Sequence, residues 1–282
     1  MPGLLSVVAT PIGNLEDITL RALRVLREAD LVAAEDTRHT AKLLRHHGIQ
    51  ARTLSFHAHN TRSRLPQLIA RLSAGSRVAL VTDAGTPGVS DPGVELVQAC
   101  RSQGIQVEAI PGPTASMAAA VVSGFPLTPL TVFGFPPVRS KDRNKWFSEA
   151  AETLHTFTFF EAPHRIESTL RQCVQYFGNR HICVARELTK VHEETAVFSL
   201  NDLSECTITA KGEFTVVVSP APSVGKAPGP EVSDAGVLAK FQEVEARLPG
   251  RSRRDVLVQV ATELGLPRSA VYPALERAKQ KA

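Results

Sequence analysis

Cysteine is scarce and badly spaced for ligation. Cys100, Cys173, Cys183 and Cys206 form no C-x-x-C pair. That excludes a zinc ribbon or a disulfide framework and fits a reducing cytoplasm. No apolar run reaches membrane-spanning length, so no membrane partner is expected. No basic n-region precedes the first apolar stretch, so a signal peptide is not expected either. The phosphate-loop patterns G-x-x-x-x-G-K-[ST] and G-x-G-x-x-G are missing, as is the nucleophile elbow G-x-S-x-G. Those absences disfavour a loop-cradled polyphosphate and hydrolysis by a serine nucleophile. Aromatic residues make up 5%, with a single tryptophan, Trp146. A net charge of +4 permits a polyanionic partner without demanding one. His46-His47 and His57-x-His59 have no carboxylate or cysteine cluster beside them, so no metal site is expected.

What is present is a core-forming chain, 43% hydrophobic over 282 residues, long enough for two domains. One stretch organises it: Arg77 to Gly93, RVALVTDAGTPGVSDPG. Val78 to Val81 read as a buried strand. The Gly and Pro residues after Thr82-Asp83 then forbid both strand and helix. Val94 to Cys100 resumes as a helix, with Asp91 placed to cap it and Pro92 at its first position. A strand, a polar glycine-rich loop and a helix make the ligand crevice of an open α/β sheet.

The rest repeats this theme. Short apolar runs at Leu4–Ala9, Leu31–Ala34, Thr53–Phe56 and Val107–Ile110 alternate with helical patterns over 20–26, 40–47, 64–72 and 115–122. That alternation predicts βαβ units and a mainly parallel sheet. Beyond Gly124 the strands crowd together, at Leu130–Phe133, Thr156–Phe160, Ile182–Ala185, Val197–Leu200 and Phe214–Val218, which predicts a mixed α+β half. Helices are expected over 146–154 and 166–177. The Pro-rich segment 221–230 reads as a linker, and 231–282 as a helical tail with a helix-turn-helix-like end. The expected divisions are 1–122, 123–220, 221–230 and 231–282.

Polar clusters stand at the strand tips of both halves: Thr10-Pro11, Glu35 to Arg38, Thr82-Asp83, Pro111 to Thr114, Glu161, Arg186-Glu187 and Gly212-Glu213. Their convergence predicts one crevice between the halves. Its loops hold Pro and small residues rather than a ring of Lys, which suits a neutral or zwitterionic ligand. Between Thr37 and Arg64 there are Arg38, Lys42, Arg45, Arg52, Arg62 and Arg64 but no Asp or Glu. With Arg139, Lys141, Arg143 and Lys145, this segment can line a phosphate-tracking surface or be a solvated helix face. Phe56, Phe133 and Phe135 are core candidates that can also stack a base.

Taken together, VATPIGNLEDIT, AEDTR, SFHAHN, VTDAGTPGVSDPG, PGPTAS, FEAPHR and RELTK followed by GEF resemble the ribosomal small-subunit methyltransferase I family, within the tetrapyrrole methylase superfamily. The resemblance runs from about Leu4 to Val218. It implies a two-domain tetrapyrrole-methylase-like α/β fold, with a mainly parallel N-terminal sheet, a mixed second domain and a small helical C-terminal tail. It further implies S-adenosyl-L-methionine as methyl donor, 2′-O-methylation of a cytidine ribose in small-subunit ribosomal RNA or the 30S subunit, and a homodimer. The matching cofactor positions are Pro11, Thr82, Asp83, Gly85, Thr86, Thr114, Ala115, Ser116, Phe160, Leu188 and Gly212. Ala84 departs from the superfamily's Gly-Asp-Pro loop, which loosens the register there.

A ribose hydroxyl is a poor nucleophile whose proton must leave. Asp36, Glu187 and Lys190, charged at strand tips, are the candidates to take that proton or lower the hydroxyl pKa. Arg38, His57, Arg62, His164 and Arg165, with the basic segment Arg139, Lys141 and Arg143, are the candidates to position RNA, structural ion pairing being their other reading. Methylation of a tetrapyrrole such as a cobalamin precursor, and a non-catalytic RNA-binding assembly role, are the alternatives.

Overall fold

The computed structural model describes residues 3–222, 233–264, 266 and 268–281, with the side chains of 268–270 and 279–281 left aside. It forms two compact units, 1–221 and 222–282. The first contains two five-stranded sheets.

The N-terminal sheet comprises β1 (Leu4–Val8), β2 (Leu31–Ala34), β3 (Thr53–Ser55), β4 (Arg77–Val81) and β5 (Gln106–Ile110). All pair in parallel, in the order β3-β2-β4-β1-β5. A parallel sheet must be covered on both faces, and the inner strands are apolar on both. Ala79 and Val81 of β4 face the side of α1 (Leu20–Glu28) and α2 (Thr37–His46). Val78 and Leu80 face the side of α3 (Thr61–Ser73) and α4 (Val94–Ser102).

Capping explains the helix starts. Thr19 Oγ1 accepts the Ala22 N–H at 3.1 Å, and Asp36 Oδ1 accepts the Arg38 N–H at 2.8 Å. Because Asp36 caps α2, the helix begins at Thr37 rather than at the expected residue 40. The cap expected at Asp91 is not made. Gly93 is the residue before α4, with φ of 143° and no capping side chain. A φ in that region suits glycine alone, and the turn it makes leaves Asp91 outside the helix.

The second sheet contains β6 (Leu130–Val132), β7 (Thr156–Glu161), β8 (His181–Arg186), β9 (Glu194–Ser199) and β10 (Phe214–Val218), ordered β6-β7-β10-β8-β9. Only β6 and β7 are parallel, as the crowded strands predict. One face packs on α6 (Ser140–Ala151) and α7 (Ile166–Phe177) through an aromatic core. Trp146, Phe147, Phe157 and Phe177 meet there with ring centroids 5.0–5.7 Å apart. Phe147 is fully buried, so Phe147→Ala is expected to cost about 3–5 kcal/mol in urea unfolding.

The other face of this sheet receives α5 (Ala115–Ser123). Ala119 packs with Cys183, Ala185 and Val217, and Ile12 and Leu188 complete the cluster. This helix follows β5 of the first sheet yet packs on the second, and so locks the two together. The second unit is a helical cluster, α8 (Asp234–Arg247), α9 (Arg253–Leu264) and α10 (Arg268–Lys281), around Phe241, Val260 and Leu275. Most of the expected linker, and parts of the helix-turn-helix-like turn, lie outside the described residues. No helix among the described residues is long and apolar enough to cross a membrane.

Candidate active site

The strand tips of both sheets meet at a cleft of about 420 Å³. From the first sheet come Ile12 after β1, Glu35 after β2, the loop from Asp83 to Asp91 after β4, and Thr114 with Ala115 after β5. From the second come Phe135, Phe160, Ala162, Leu188, Glu213 and Thr215. A smaller cavity of about 130 Å³ shares Ile12, Asp83, Ala84 and Glu213 and adds Pro11, Thr82 and Lys190.

The β4 loop is held from both sides. Thr10 and Gly85 exchange backbone hydrogen bonds of 2.9 and 3.0 Å. Thr86 Oγ1 donates to the Pro113 carbonyl at 3.3 Å. Asp83 accepts the Asp36 N–H at 3.1 Å, while its own N–H donates to Glu35 at 3.3 Å. Ser90 has φ of 68° and abuts Gly134 of the second sheet, where a Cβ would lie 2.9 Å from Ser90 Oγ.

Of the expected cofactor residues, Asp83, Gly85, Thr86, Thr114, Ala115, Phe160 and Leu188 line the main cleft. Pro11 and Thr82 line the smaller cavity. Ser116 is buried beneath, within 3.2 Å of the Thr114 hydroxyl. Gly212 supports a neighbouring loop, with its missing Cβ leaving room for the Glu187 carboxylate. The cleft also gathers Glu35, one of the strand-tip residues expected to converge there, and Asp91, which the sequence suggests only as a helix cap.

Among the described residues, no Lys or Arg lines the cleft. Its walls are apolar or aromatic, with Phe135 and Phe160 rings 5.4 Å apart. Its charges are negative: Glu35, Asp83, Asp91, Glu161 and Glu213. Burial, followed by the repulsion of Glu35 and Asp83, pushes the Asp91 carboxyl up to about 6. No described group makes a hydrogen bond or ion pair with its side chain. Among the described residues, no group of His, Cys, Asp or Glu is arranged to hold a metal ion.

The three expected proton-handling residues are all committed elsewhere. Asp36 caps α2 and pairs with Arg38 at 2.7 Å, whose hydrogen bond holds the carboxyl far below the usual range. Lys190 Nζ pairs with Glu187 at 2.8 Å and Glu213 at 3.1 Å. That hydrogen bond lowers the Glu187 pKa. Burial opposes charge on Lys190, but its bonds to Glu187 and Glu213 win and raise its pKa. Glu187 and Lys190 therefore form an ion-paired strut, with the two carboxylates of Asp36 and Glu187 held ionised and Lys190 held protonated. Asp36→Asn is expected to leave the turnover rate within about threefold, far short of the 10²–10⁴ of a lost general base, in a steady-state methyl-transfer assay.

Arg143 corrects the expected phosphate-tracking surface. It is buried on the inner side of α6, its guanidinium bonded to Gln172 at 2.6 Å, the Thr169 hydroxyl and Glu161. Arg165 also pairs with Glu161, whose side chain is 0% exposed. Arg62, Arg139, Lys141 and His164 are exposed, as is Arg38 beside Asp36. His57 is half-buried, with Nε2 3.1 Å from the Asn60 amide and Nδ1 without a partner. None of these residues lines the cleft.

Residues 4–204 match the family described as Tetrapyrrole (Corrin/Porphyrin) Methylases. A protein of Halalkalibacterium halodurans named ribosomal RNA small subunit methyltransferase I is 42% identical over 275 residues, covering 96% of this chain and 93% of that one. The protein of the same name from Escherichia coli O157:H7 is 38% identical, covering 98% and 96%. Among solved structures, uroporphyrin-III-C-methyltransferase from Thermus thermophilus superposes with a TM-score of 0.56 at 22% identity, over 77% of this chain and 94% of that one. A diphthine synthase does so with 0.60 at 18%, over 77% and 90%. These two likenesses concern the fold alone.

Proposed function

The chain belongs to the ribosomal RNA small subunit methyltransferase I family of the tetrapyrrole methylases, and from that premise we propose that it methylates the 2′-hydroxyl of a cytidine ribose in 16S ribosomal RNA, using S-adenosyl-L-methionine. The observation that carries this reading is the cleft itself, apolar-walled, lined by carboxylates and, among the described residues, free of Lys and Arg. Such a site suits a cationic, largely apolar ligand and rejects a polyphosphate. Its volume is that of an ordinary small-ligand pocket.

Phe135 and Phe160 form an aromatic wall against which a flat heterocycle can pack, and Ile12 and Leu188 can cover the ligand's aliphatic part. Thr86, Thr114 and the backbone around Gly85 offer hydrogen-bonding groups. Glu35 and Asp83 complement positive charge. When bound, the donor supplies an electrophilic methyl on a sulfonium, open to in-line displacement. The chain's own contribution is to hold the ribose hydroxyl on that line and to exclude water.

Exposed Arg38, Arg62, Arg139, Lys141 and His164 are the groups for phosphates, and Arg38 is the one tied to the cleft through Asp36 and Asp83. A homodimer in the cytoplasm belongs to the same proposal. The test is transfer of tritiated methyl to unmethylated small subunits, naked 16S RNA and a tetrapyrrole. Incorporation into subunits or RNA at a ribose supports the reading. Incorporation into the tetrapyrrole alone, or RNA binding without any transfer, overturns it.

A further inference from the structure

We propose that Asp91 is the proton acceptor for the attacking hydroxyl, an inference that rests on the ribose-methylation reading above. Three observations place it there. Asp91 lies on the cleft wall, between Ser90, which abuts Gly134 of the second sheet, and Pro92-Gly93, which turn the chain into α4. Ser90 has a φ of 68°, an unfavourable conformation for a non-glycine residue, directly before this carboxylate, and Gly93, with a φ of 143° open to glycine, turns the chain just after it. Such bends persist where the surroundings over-determine them, and they cluster at functional sites.

Asp91 is also the uncommitted acid of the cleft. Glu161 is neutralised by Arg143 and Arg165, and Glu213 by Lys190. Asp83 accepts the Asp36 N–H, and Glu35 accepts the Asp83 N–H. Among the described residues, Asp91 has no such partner. The charged groups acting on it are Glu35 from the end of β2 and Asp83 from the end of β4, both acidic. Burial and these neighbours bring its pKa to about 6, so it is ionised at neutral pH yet basic enough to share a proton in a transition state.

The step balances without a further reactant. The ribose oxygen–hydrogen bond breaks and its proton passes to a carboxylate oxygen of Asp91. The oxygen's electron pair forms the new oxygen–carbon bond, and the pair of the breaking carbon–sulfur bond stays on sulfur. Asp91 then returns the proton to water.

The experiment compares wild type, Asp91→Asn and Asp91→Glu. Single-turnover methyl transfer is followed from pH 5 to 9 with saturating donor and the substrate that wild type methylates. Donor affinity is measured by calorimetry, and thermal unfolding is followed from pH 3 to 8 without donor. Wild type is expected to gain rate through about pH 6 and then level off. Asp91→Asn is expected to fall by about 100-fold or more and lose that rise, while donor affinity changes by less than about threefold. Asp91→Glu is expected to recover part of the rate.

Unfolding gives a readout independent of turnover. A raised carboxyl pKa means the folded state binds more protons than the unfolded one between about pH 4 and 6, so this group's contribution to stability falls as pH rises through that window. Asp91→Asn should therefore melt higher than wild type at pH 7 and equal to it below pH 4. The inference is overturned if Asp91→Asn keeps its rate, keeps the rise near pH 6, or loses donor affinity in proportion to rate. Failure of wild type to methylate any substrate removes the ribose reading and this inference together. Transfer by wild type with Asp91→Asn unaffected removes the inference alone.

Discussion

Glu161→Ala is expected to lower unfolding stability by about 3–5 kcal/mol, read as the midpoint shift in urea at constant m-value. The Glu161 side chain is 0% exposed at the end of β7. One carboxylate oxygen accepts from Arg143 at 3.4 Å and from the Thr169 hydroxyl at 2.5 Å. The other accepts the Ala162 N–H at 2.8 Å and pairs with Arg165. Removing the acid leaves two guanidinium groups, 10% and 17% exposed, without their counter-charge. Two Arg165 nitrogens already lack a hydrogen-bond partner, so its dependence on Glu161 is large. Breaking a buried pair by deleting one partner is costly, whereas replacing all members with apolar groups is often neutral. The triple change Glu161→Leu, Arg143→Met and Arg165→Leu should therefore recover most of the loss. A cost below about 1 kcal/mol, typical of a surface pair, would contradict this account. Ala162 and Pro163 line the cleft directly after Glu161, so donor affinity should fall as well.

The residues whose places differ from the sequence expectation do so for separate physical reasons. Arg143 stands in a run of basic residues, which reads as surface. Yet its spacing to Trp146, Phe147 and Ala150 is that of one helical face, and all four are buried. That helical spacing, and not the charge of its neighbours, decides which way Arg143 faces. Asp91-Pro92 has the form of a cap followed by a first helical residue. Only the φ of Gly93 shows that the helix starts after the turn, and a dihedral angle is not written in residue types. Glu35-Asp36 offered adjacent acids at one strand tip. The outer one caps α2 and the inner one reaches the cleft, a division set by the direction of the strand end. By contrast, the parallel sheet and the β4 loop were legible, because apolar runs and Gly-Pro clusters act locally. Ion-pair commitments such as that of Lys190 with both Glu187 and Glu213 depend on where two loops meet.

That last meeting yields the second large effect: Gly212→Ala is expected to weaken donor binding about tenfold or more while leaving the sheets folded. Gly212 has φ of 84°, and a Cβ there would lie 2.5 Å from the Glu187 Cγ, Cδ and Oε1. An alanine held in that left-handed conformation costs about 1–2 kcal/mol before any clash. The carboxylate cannot yield freely, since Oε1 accepts from Lys190 Nζ at 2.8 Å and from the Glu213 N–H at 2.9 Å. Glu187 and Thr189 themselves have φ of 52° and 66°, so this loop depends on its cross-links. Displacing Glu187 moves Leu188, which lines the cleft, and loosens the 2.9 Å bond from the Asn14 N–H to Thr189 Oγ1 that ties the loop to the first sheet. A tenfold loss corresponds to about 1.4 kcal/mol of binding energy, within what a displaced wall residue costs. Calorimetric titration of the donor reads the affinity, and far-ultraviolet circular dichroism reads the fold. The decisive comparison is a double-mutant cycle with Glu187→Ala. If the clash with this carboxylate is the cause, Gly212→Ala should cost far less in the Glu187→Ala background than in wild type. Equal losses in both backgrounds would assign the effect to backbone strain alone and discard the strut as the device that sets this wall.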